Sequence, residues 1–393
     1  MGSNEGRGLP IAVKNISNQA LFSRIGWSIT YLVCLFLAYV RVNSAYNWYG
    51  GGQITLALQE GAISRRFLIG TLFHPILNST GYDARVLQLL SFTGAALFLS
   101  LVYVWYIKVG VEFKLLLLFG LLTLPGVMLI TSLLFIEMWG YSFLFIALYM
   151  LDKARGGYLP FLFLALGFAA SEHTVVFGSL IFILFAGKRF GYIKSSLLTA
   201  LVAVPFMYLT LFVGSGEERM GALFEKVRLG SPKIDGGTYT MLISPILGFN
   251  AYKDGGLGAF STILEDGKYQ FITWEVKKWG LLFAGLLTVV SIIVRKSLSI
   301  FDLLLVAGSA LTPIIIAMAA NDYSRWMSMI TINTTLLTYY ILRKGDRNLK
   351  LLGIFLVIAG FIITEFITEK VTFGGEIIYW YVIGLKYFFN IPV

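Results

Sequence analysis

Apolar residues in this chain form long runs that are separated by short polar turns and, in two places, by longer polar segments. A helix that crosses a bilayer needs about 20 mostly apolar residues. The pattern therefore predicts an all-α, polytopic integral membrane protein in which 1–393 is a single transmembrane domain. About 11 spanning helices are expected, within a range of 10–12, at 25–42, 86–107, 115–131, 134–151, 157–171, 174–187, 196–213, 279–294, 300–320, 327–342 and 350–367.

The segments between the apolar runs also have predicted places. Residues 1–24 form a cytoplasmic tail, and 43–82 form a first outer loop. Its apolar stretch 67–77 is too short to span, so it is expected to re-enter the membrane or to lie at the interface. The long outer loop 214–278 is rich in glycine, which favours a cover over a plain connector. The tail 371–393 is interpreted as an outer interfacial helix, with a last, twelfth span as the alternative.

Charged residues collect at the ends of the apolar runs, and alternate ends differ in character. Ends rich in lysine and arginine mark the cytoplasmic side of a membrane protein. This orientation places the N-terminus in the cytoplasm. The first run, 25–42, is longer than the apolar core of a signal peptide, so an uncleaved helix is favoured over a cleaved leader. The basic ends carry Lys108, Lys114, Lys153, Arg155, Lys188, Arg189, Lys194, Arg295, Lys296, Arg343, Lys344, Arg347 and Lys350.

The composition agrees with lipid as the main solvent. The chain is 57% hydrophobic and 13% charged, with a mean hydropathy of +0.78, whereas a soluble domain has about 25% charged residues. Its net charge of +10 is mostly accounted for by the basic turns, so nucleic-acid binding is rejected. The single cysteine, Cys34, excludes a disulfide bond within the chain.

Residues suited to catalysis collect at the other ends, and the first group lies in the first outer loop. Arg65 and Arg66 run against the positive-inside trend, and arginine presents a planar fork of donors that suits phosphate oxygens. Glu60 lies five and six residues earlier. The interpretation is a pyrophosphate clamp beside a carboxylate base. The alternative is an arginine pair that contacts lipid headgroups.

A second group links two predicted spans in very few residues. Asp322 and Arg325 have the spacing of neighbours on one helix face, and Tyr323 and Trp326 lie beside them. Ionisable groups at this depth usually face a protein interior or an aqueous cavity. Arg325 is expected to bind an anionic substrate, Asp322 to orient it or act as base, and the two aromatic residues to contact it. A structural ion pair is the alternative.

A third group surrounds one of the two histidines. Glu172 and His173 lie at the tight turn between two spans, and a carboxylate beside a histidine suits proton transfer. A histidine satisfied by backbone at a turn is the alternative. Glu137, a lone acid in an apolar setting at the same predicted side, is expected to contact a sugar hydroxyl or, preferably, to pair with an arginine.

Several common motifs are missing from the sequence. It has no HExxH, no CxxC and no phosphate-binding loop, and its cytoplasmic turns are too short for a nucleotide-binding domain. ATP-driven transport by this chain alone and a cytoplasmic sugar-nucleotide site are therefore disfavoured. No cofactor is expected, and a divalent metal is not indicated.

Two of these segments carry a resemblance. The stretch from Arg65 to Gly70 and the group from Asp322 to Trp326 are similar to segments of bacterial polysaccharide membrane proteins. With an acid in the first outer loop, a short re-entrant stretch and a long outer loop, the chain resembles GT-C glycosyltransferases and Wzy-type O-antigen or capsular polysaccharide polymerases. It departs from them in lacking an Asp-x-Asp-like pair and a large soluble C-terminal domain.

The resemblance implies a GT-C-like fold in a bacterial cytoplasmic (inner) membrane, and a glycan acceptor that receives sugar from a polyprenyl-pyrophosphate-linked glycan at the outer face. Arg65, Arg66 and Arg325 would neutralise the leaving pyrophosphate. Glu60, or else Asp322 or Glu172 with His173, would take the acceptor's proton.

Three other functions compete with this one. A lipid-linked glycan flippase or transporter would need charged groups along the middle of the bundle, and few are present. A polysaccharide acyltransferase would need a catalytic histidine or aspartate near the acyl donor, and the cytoplasmic turns carry no histidine. No sequence feature excludes a non-catalytic membrane subunit.

Overall fold

The computed structural model describes residues 67–122, 137–213, 298–317, 323–343 and 347–367, with separate positions in 25–36 and 282–291. Within these ranges all regular structure is helical, which confirms the all-α class for this part of the chain. The predicted cytoplasmic tail, the long outer loop and the C-terminal segment lie outside it. The count of 11 spans and the GT-C-like arrangement therefore stay predictions.

The described helices occupy the predicted apolar runs, and each begins or ends within a few residues of the expected boundary. The third helix continues from Leu117 into a π-helical turn, Leu118–Leu122. In chain order the helices are α1 (Phe67–Ser79), α2 (Ala84–Lys108), α3 (Val111–Leu117), α4 (Glu137–Asp152), α5 (Leu159–Ala170), α6 (Glu172–Phe190), α7 (Tyr192–Phe212), α8 (Ile300–Ala317), α9 (Tyr323–Leu342) and α10 (Arg347–Ile367).

Among the residues that the structure describes, three helical stretches are long and apolar enough to cross a membrane: Leu89–Lys108, His173–Phe190 and Tyr192–Leu209. Shorter apolar stretches lie in α1, α5, α8 and α9. Helix α1 has 13 residues, which is below the length that a straight span requires. It therefore has the length expected of a re-entrant or interfacial segment.

One face of α7 is apolar and open along its whole length. Six side chains that recur every three or four residues are each more than half exposed, so they form one stripe on the helix. Such a large contiguous apolar surface is rare on proteins dissolved in water and marks contact with membrane or protein. The stripe consists of Ile193, Leu197, Leu201, Val204, Tyr208 and Phe212.

Helix α6 lies at the centre of the described bundle and packs against α4, α5, α7, α8 and α9. Glycines allow the backbones of α4, α5 and α6 to approach closely. Small residues are common at helix contacts in membranes, where the hydrophobic effect does not drive helices together. A Cβ atom added to Gly140 would lie 2.3 Å from Thr174 Oγ1, and one added to Gly167 would lie 3.1 Å from the Gly140 carbonyl oxygen. The start of α4 is thereby held against the start of α6.

Contacts between cationic side chains and neighbouring helices define one end of the bundle, here called the basic end. Lys108 at the end of α2 donates to the Tyr149 hydroxyl at 2.8 Å. Arg343, just past α9, pairs with Asp152 at the end of α4 at 2.8 Å. Arg189 near the end of α6 donates to the Arg155 carbonyl oxygen at 2.7 Å.

The helices α4, α6 and α9 all run towards the basic end, so their first turns lie at the opposite end. Helix α4 has 16 residues, which at 1.5 Å per residue separates its two ends by about 24 Å. The two ends are therefore chemically distinct regions of the molecule, and the candidate site lies at the opposite end.

Asp302, at the basic end, is an acid whose side chain is buried. Ser299 and Asp302 form a reciprocal cap at the start of α8: the Ser299 backbone N–H donates to Asp302 Oδ2 at 3.0 Å and the Asp302 N–H donates to Ser299 Oγ at 3.1 Å. The carboxylate also accepts hydrogen bonds from the hydroxyls of Tyr192 and Tyr340. These contacts tie the start of α7 and the end of α9 to the start of α8.

Candidate functional site

Glu137 is the first residue of α4, and its side chain is fully buried (0% exposed). An acid in the first turn of a helix is stabilised by the partial positive charge of the unpaired N–H groups. Burying a carboxylate is still costly unless a partner compensates for the lost water. The partner that the described residues supply is His173, whose Nδ1 lies 3.0 Å from Glu137 Oε1.

His173 is the second residue of α6, and 15% of its side chain is exposed. A single residue, Ser171, separates α5 from α6, and its extended backbone turns the chain sharply. The Ser171 N–H closes the last turn of α5 on the Gly167 carbonyl oxygen at 2.9 Å. This short connection and the close contact at Gly140 together bring the imidazole to the carboxylate.

Polar and aromatic groups surround the pair. Thr174, Ser171 and Tyr141 are all buried next to it. Trp139 packs its ring against Phe73 of α1, with ring centroids 5.8 Å apart, and donates from Nε1 to the Leu90 carbonyl oxygen at 3.2 Å. The pair therefore lies among packed, buried side chains, and the imidazole of His173 is its partly exposed member.

Helix α1 also begins at this end of the bundle. Phe67 stacks on Phe206 of α7, with centroids 6.4 Å apart, and Phe206 meets Phe168 edge-on at 6.0 Å. Phe168 lies three residues before Ser171. The first residue of α1 is thus anchored beside the turn that carries His173.

Of the predicted site residues, the structure brings together Glu137 and His173. Glu172 begins α6, and the backbone of Tyr323, Arg325 and Trp326 forms the first turn of α9, at the same end of the bundle; their side chains lie outside the description. The remaining predicted residues, Glu60, Arg65, Arg66 and Asp322, fall outside the described residues altogether.

The pairing changes the interpretation of Glu137. The expected partners were an arginine or a sugar hydroxyl, and these stay predictions, whereas His173 is the partner that the described side chains provide. A carboxylate with no exposed surface is better placed to orient the imidazole than to contact a sugar directly.

Sequence reasoning missed the residues that bring the pair together. Gly140, Gly167 and Thr174 carry no titratable group, so a search for chemistry passes over them. The sequence does show a glycine in each of two apolar runs, Gly140 and Gly167, and small residues allow close helix contacts. It does not show which helices contact each other.

Across the ranges that the structure describes, no group of three His, Cys, Asp or Glu side chains is arranged to hold a metal ion. Comparison with protein-family models, with curated proteins and with solved structures produced no match to this chain.

Proposed function

We propose that the protein is a membrane glycosyltransferase of the hexosyltransferase or polysaccharide polymerase type. In this proposal it uses a polyprenyl-pyrophosphate-linked glycan as donor and a second glycan as acceptor, and it works at the outer face of a bacterial cytoplasmic membrane, in surface polysaccharide synthesis. About 11 spans and a cytoplasmic N-terminus belong to the same proposal. The observation that carries it is the contact between buried Glu137 and partly exposed His173 at the end opposite the basic end.

His173 is the proposed general base. In this proposal Nδ1, which lies 3.0 Å from Glu137 Oε1, carries the proton, and Nε2 is the acceptor. Nε2 takes the proton from an acceptor sugar hydroxyl while that oxygen forms a bond to the donor's anomeric carbon. The bond from that carbon to the pyrophosphate oxygen breaks, and the electron pair leaves with the pyrophosphate.

Glu137 is the proposed positioning residue. It holds the imidazole in one orientation and stabilises the positive charge that forms when Nε2 is protonated, as a buried carboxylate does in hydrolytic triads. It lies at the start of α4, where the helix dipole favours a negative charge.

The arginines complete the proposed mechanism. Negative charge develops on the departing pyrophosphate, and fixed donors act most strongly where charge develops. Arg65, Arg66 and Arg325 are assigned this role, with Tyr323 and Trp326 as sugar-contacting residues. The support is that α1, which follows Arg66 directly, and the first turn of α9 both lie at the His173 end. Glu60, Asp322 and Glu172 remain alternative bases.

The transport alternative finds less support in the bundle interior. The polar residues in the middle of α9 are buried, and two of them satisfy their own helix: Thr335 donates to the Thr331 carbonyl oxygen at 2.8 Å, and Thr338 donates to that of Thr334 at 2.7 Å. Polar side chains that bond back to their own helix and pack tightly do not form a hydrophilic path for a glycan.

The experiment is a transfer assay with purified protein and a polyprenyl-pyrophosphate-linked oligosaccharide. Chain growth or transfer, measured by mass spectrometry of the glycans, is the expected result. The His173→Asn variant should lose it, and Asp152→Asn, which breaks a part-buried ion pair at the basic end, is the matched control. Translocation of the lipid-linked glycan in proteoliposomes without transfer would instead identify a flippase. Acylation of the glycan would identify an acyltransferase.

A further inference from the structure

Three cations at the basic end form a cluster that includes no acid. The Arg189 guanidinium donates to the backbone carbonyl oxygen of Arg155 at 2.7 Å, so the exposed residue Arg155 lies next to it. Lys194 donates to the Tyr158 hydroxyl at 2.5 Å. Within the described part of the chain, no carboxylate pairs with any of the three. By contrast, Lys153 pairs with Asp152. The cluster therefore carries a local charge of the kind that attracts an anion.

Two stacked aromatic rings support two of these cations, Arg189 and Lys194. Tyr158 and Phe190 lie with centroids 5.2 Å apart and planes 17° from parallel. Lys194 Nζ lies 5.0 Å from the Tyr158 ring, and the Arg189 guanidinium lies 5.0 Å from the Phe190 ring. Such contacts hold cations in place and leave other donors available. The cluster is thus an ordered group of donors around an aromatic base.

Exposed apolar side chains at the starts of α5 and α7 adjoin the cluster. Leu159 follows Tyr158 directly and is 42% exposed, and Ile193 precedes Lys194 directly and is 75% exposed. From there the apolar surface continues along α7 through Leu197 and Leu201, and α5 packs beside α7. A positive, aromatic-lined cluster therefore lies at the head of an apolar surface.

We propose that this surface binds an anionic phospholipid. The phosphate of the headgroup contacts Arg155, Arg189 and Lys194, and the acyl chains lie along the exposed faces of α5 and α7. Charge complementarity selects an anionic headgroup, and the adjoining apolar surface selects a lipid over a free anion, because inorganic phosphate would use only the cations. This site lies at the end opposite His173, so it does not depend on the proposed transferase activity.

The test measures lipid binding to the full-length protein in a non-ionic detergent. Native mass spectrometry reports the bound fraction as phosphatidylglycerol is titrated, with phosphatidylcholine of the same chain length and inorganic phosphate in parallel. Phosphatidylglycerol should bind more tightly than phosphatidylcholine. Each surface cation contributes about fivefold in affinity, so Arg155→Gln and Lys194→Gln should each weaken binding about fivefold and their combination about 25-fold.

Lys153→Gln is the matched control, because it removes a cation from the same end that is already paired with a carboxylate; its affinity for phosphatidylglycerol should stay close to that of the parent protein. Lys194→Arg should keep most of the binding. Equal binding of the two lipids, undiminished binding by the double variant, or a similar loss in the control would each overturn the proposal. Phosphate that competes fully with phosphatidylglycerol would show a free-anion site instead.

Discussion

Two buried acids at opposite ends of the bundle have contrasting surroundings. Asp302 is surrounded by hydroxyl and backbone donors from Ser299, Tyr192 and Tyr340. Glu137 instead faces an imidazole that is itself partly open to the exterior. Phenols and serines stay protonated across the physiological range, whereas histidine changes charge within it.

Under the proposed function, this contrast separates an acid that only supports the fold from one that supports catalysis. The groups that donate hydrogen bonds to Asp302 are hydroxyls and a backbone N–H, so we interpret this network as one that fixes the relative positions of α7, α8 and α9. The partner of Glu137 is an imidazole, which is the side chain that the proposed mechanism uses as its base. Burial of an acid alone therefore does not identify a site, and the chemistry of its partner has to be considered as well.

The sharpest test of this comparison removes the proton-transfer group. His173→Asn and Glu137→Gln should each lower turnover in the transfer assay by about 100-fold or more, since a positioned general base contributes about 10²–10⁴-fold. Asp302→Asn should retain turnover when activity is normalised to folded protein. A transferase that keeps near-normal turnover without His173 would remove the pair from the mechanism and point to Glu60, Asp322 or Glu172.

The second test removes the structural acid. Asp302→Ala leaves the Tyr192 and Tyr340 hydroxyls without their acceptor and removes the cap of α8. Unsatisfied buried polar groups cost about 1–3 kcal/mol each, so the variant should lose about 2–4 kcal/mol of stability. Thermal unfolding in detergent or nanodiscs measures this loss against the parent protein. Unchanged stability would show that the network at the basic end is dispensable.

A third test acts on the contact that brings Glu137 and His173 together. Gly140→Ala places a methyl group against Thr174 Oγ1, and overpacking of this kind costs about 1–3 kcal/mol. The start of α4 should move away from α6 and turnover should fall. Thr174→Ala in the same chain removes the obstructing atom and should restore part of both stability and turnover, as measured in a double-mutant cycle. Additive effects would argue against a direct clash.

The smallest expected effect comes from a single donor at the basic end. Tyr340→Phe removes one hydroxyl from Asp302 and keeps the ring on which Lys188 and Arg343 rest. Stability should fall by about 1 kcal/mol, and turnover should not change. A larger loss of turnover than of stability would mean that the two ends are coupled, and the division between a structural and a functional end would then fail.

Much of this architecture follows from the amino-acid sequence alone. The all-α class, the runs that became α2, α4, α6 and α7, and the separation of a basic end from an end with mixed charges follow from run length and from the places of charged residues. These features can be predicted from local sequence because a bilayer requires a minimum length of apolar residues in each span and favours basic residues at its cytoplasmic ends. The tight turn that carries His173 was predictable for the same reason, because only two residues separate the predicted spans 157–171 and 174–187.

Tertiary structure decided which side chains meet. Nothing in the runs around Glu137 and His173 indicates that their helices touch, because helices that are apolar on most faces do not reveal the face that packs. Sequence reasoning did not single out Asp302 for the same reason, since its partners come from α7 and α9. Glycines at the crossing of α4 with its neighbours set the distance between helices, and the rotation of each helix sets the pairing.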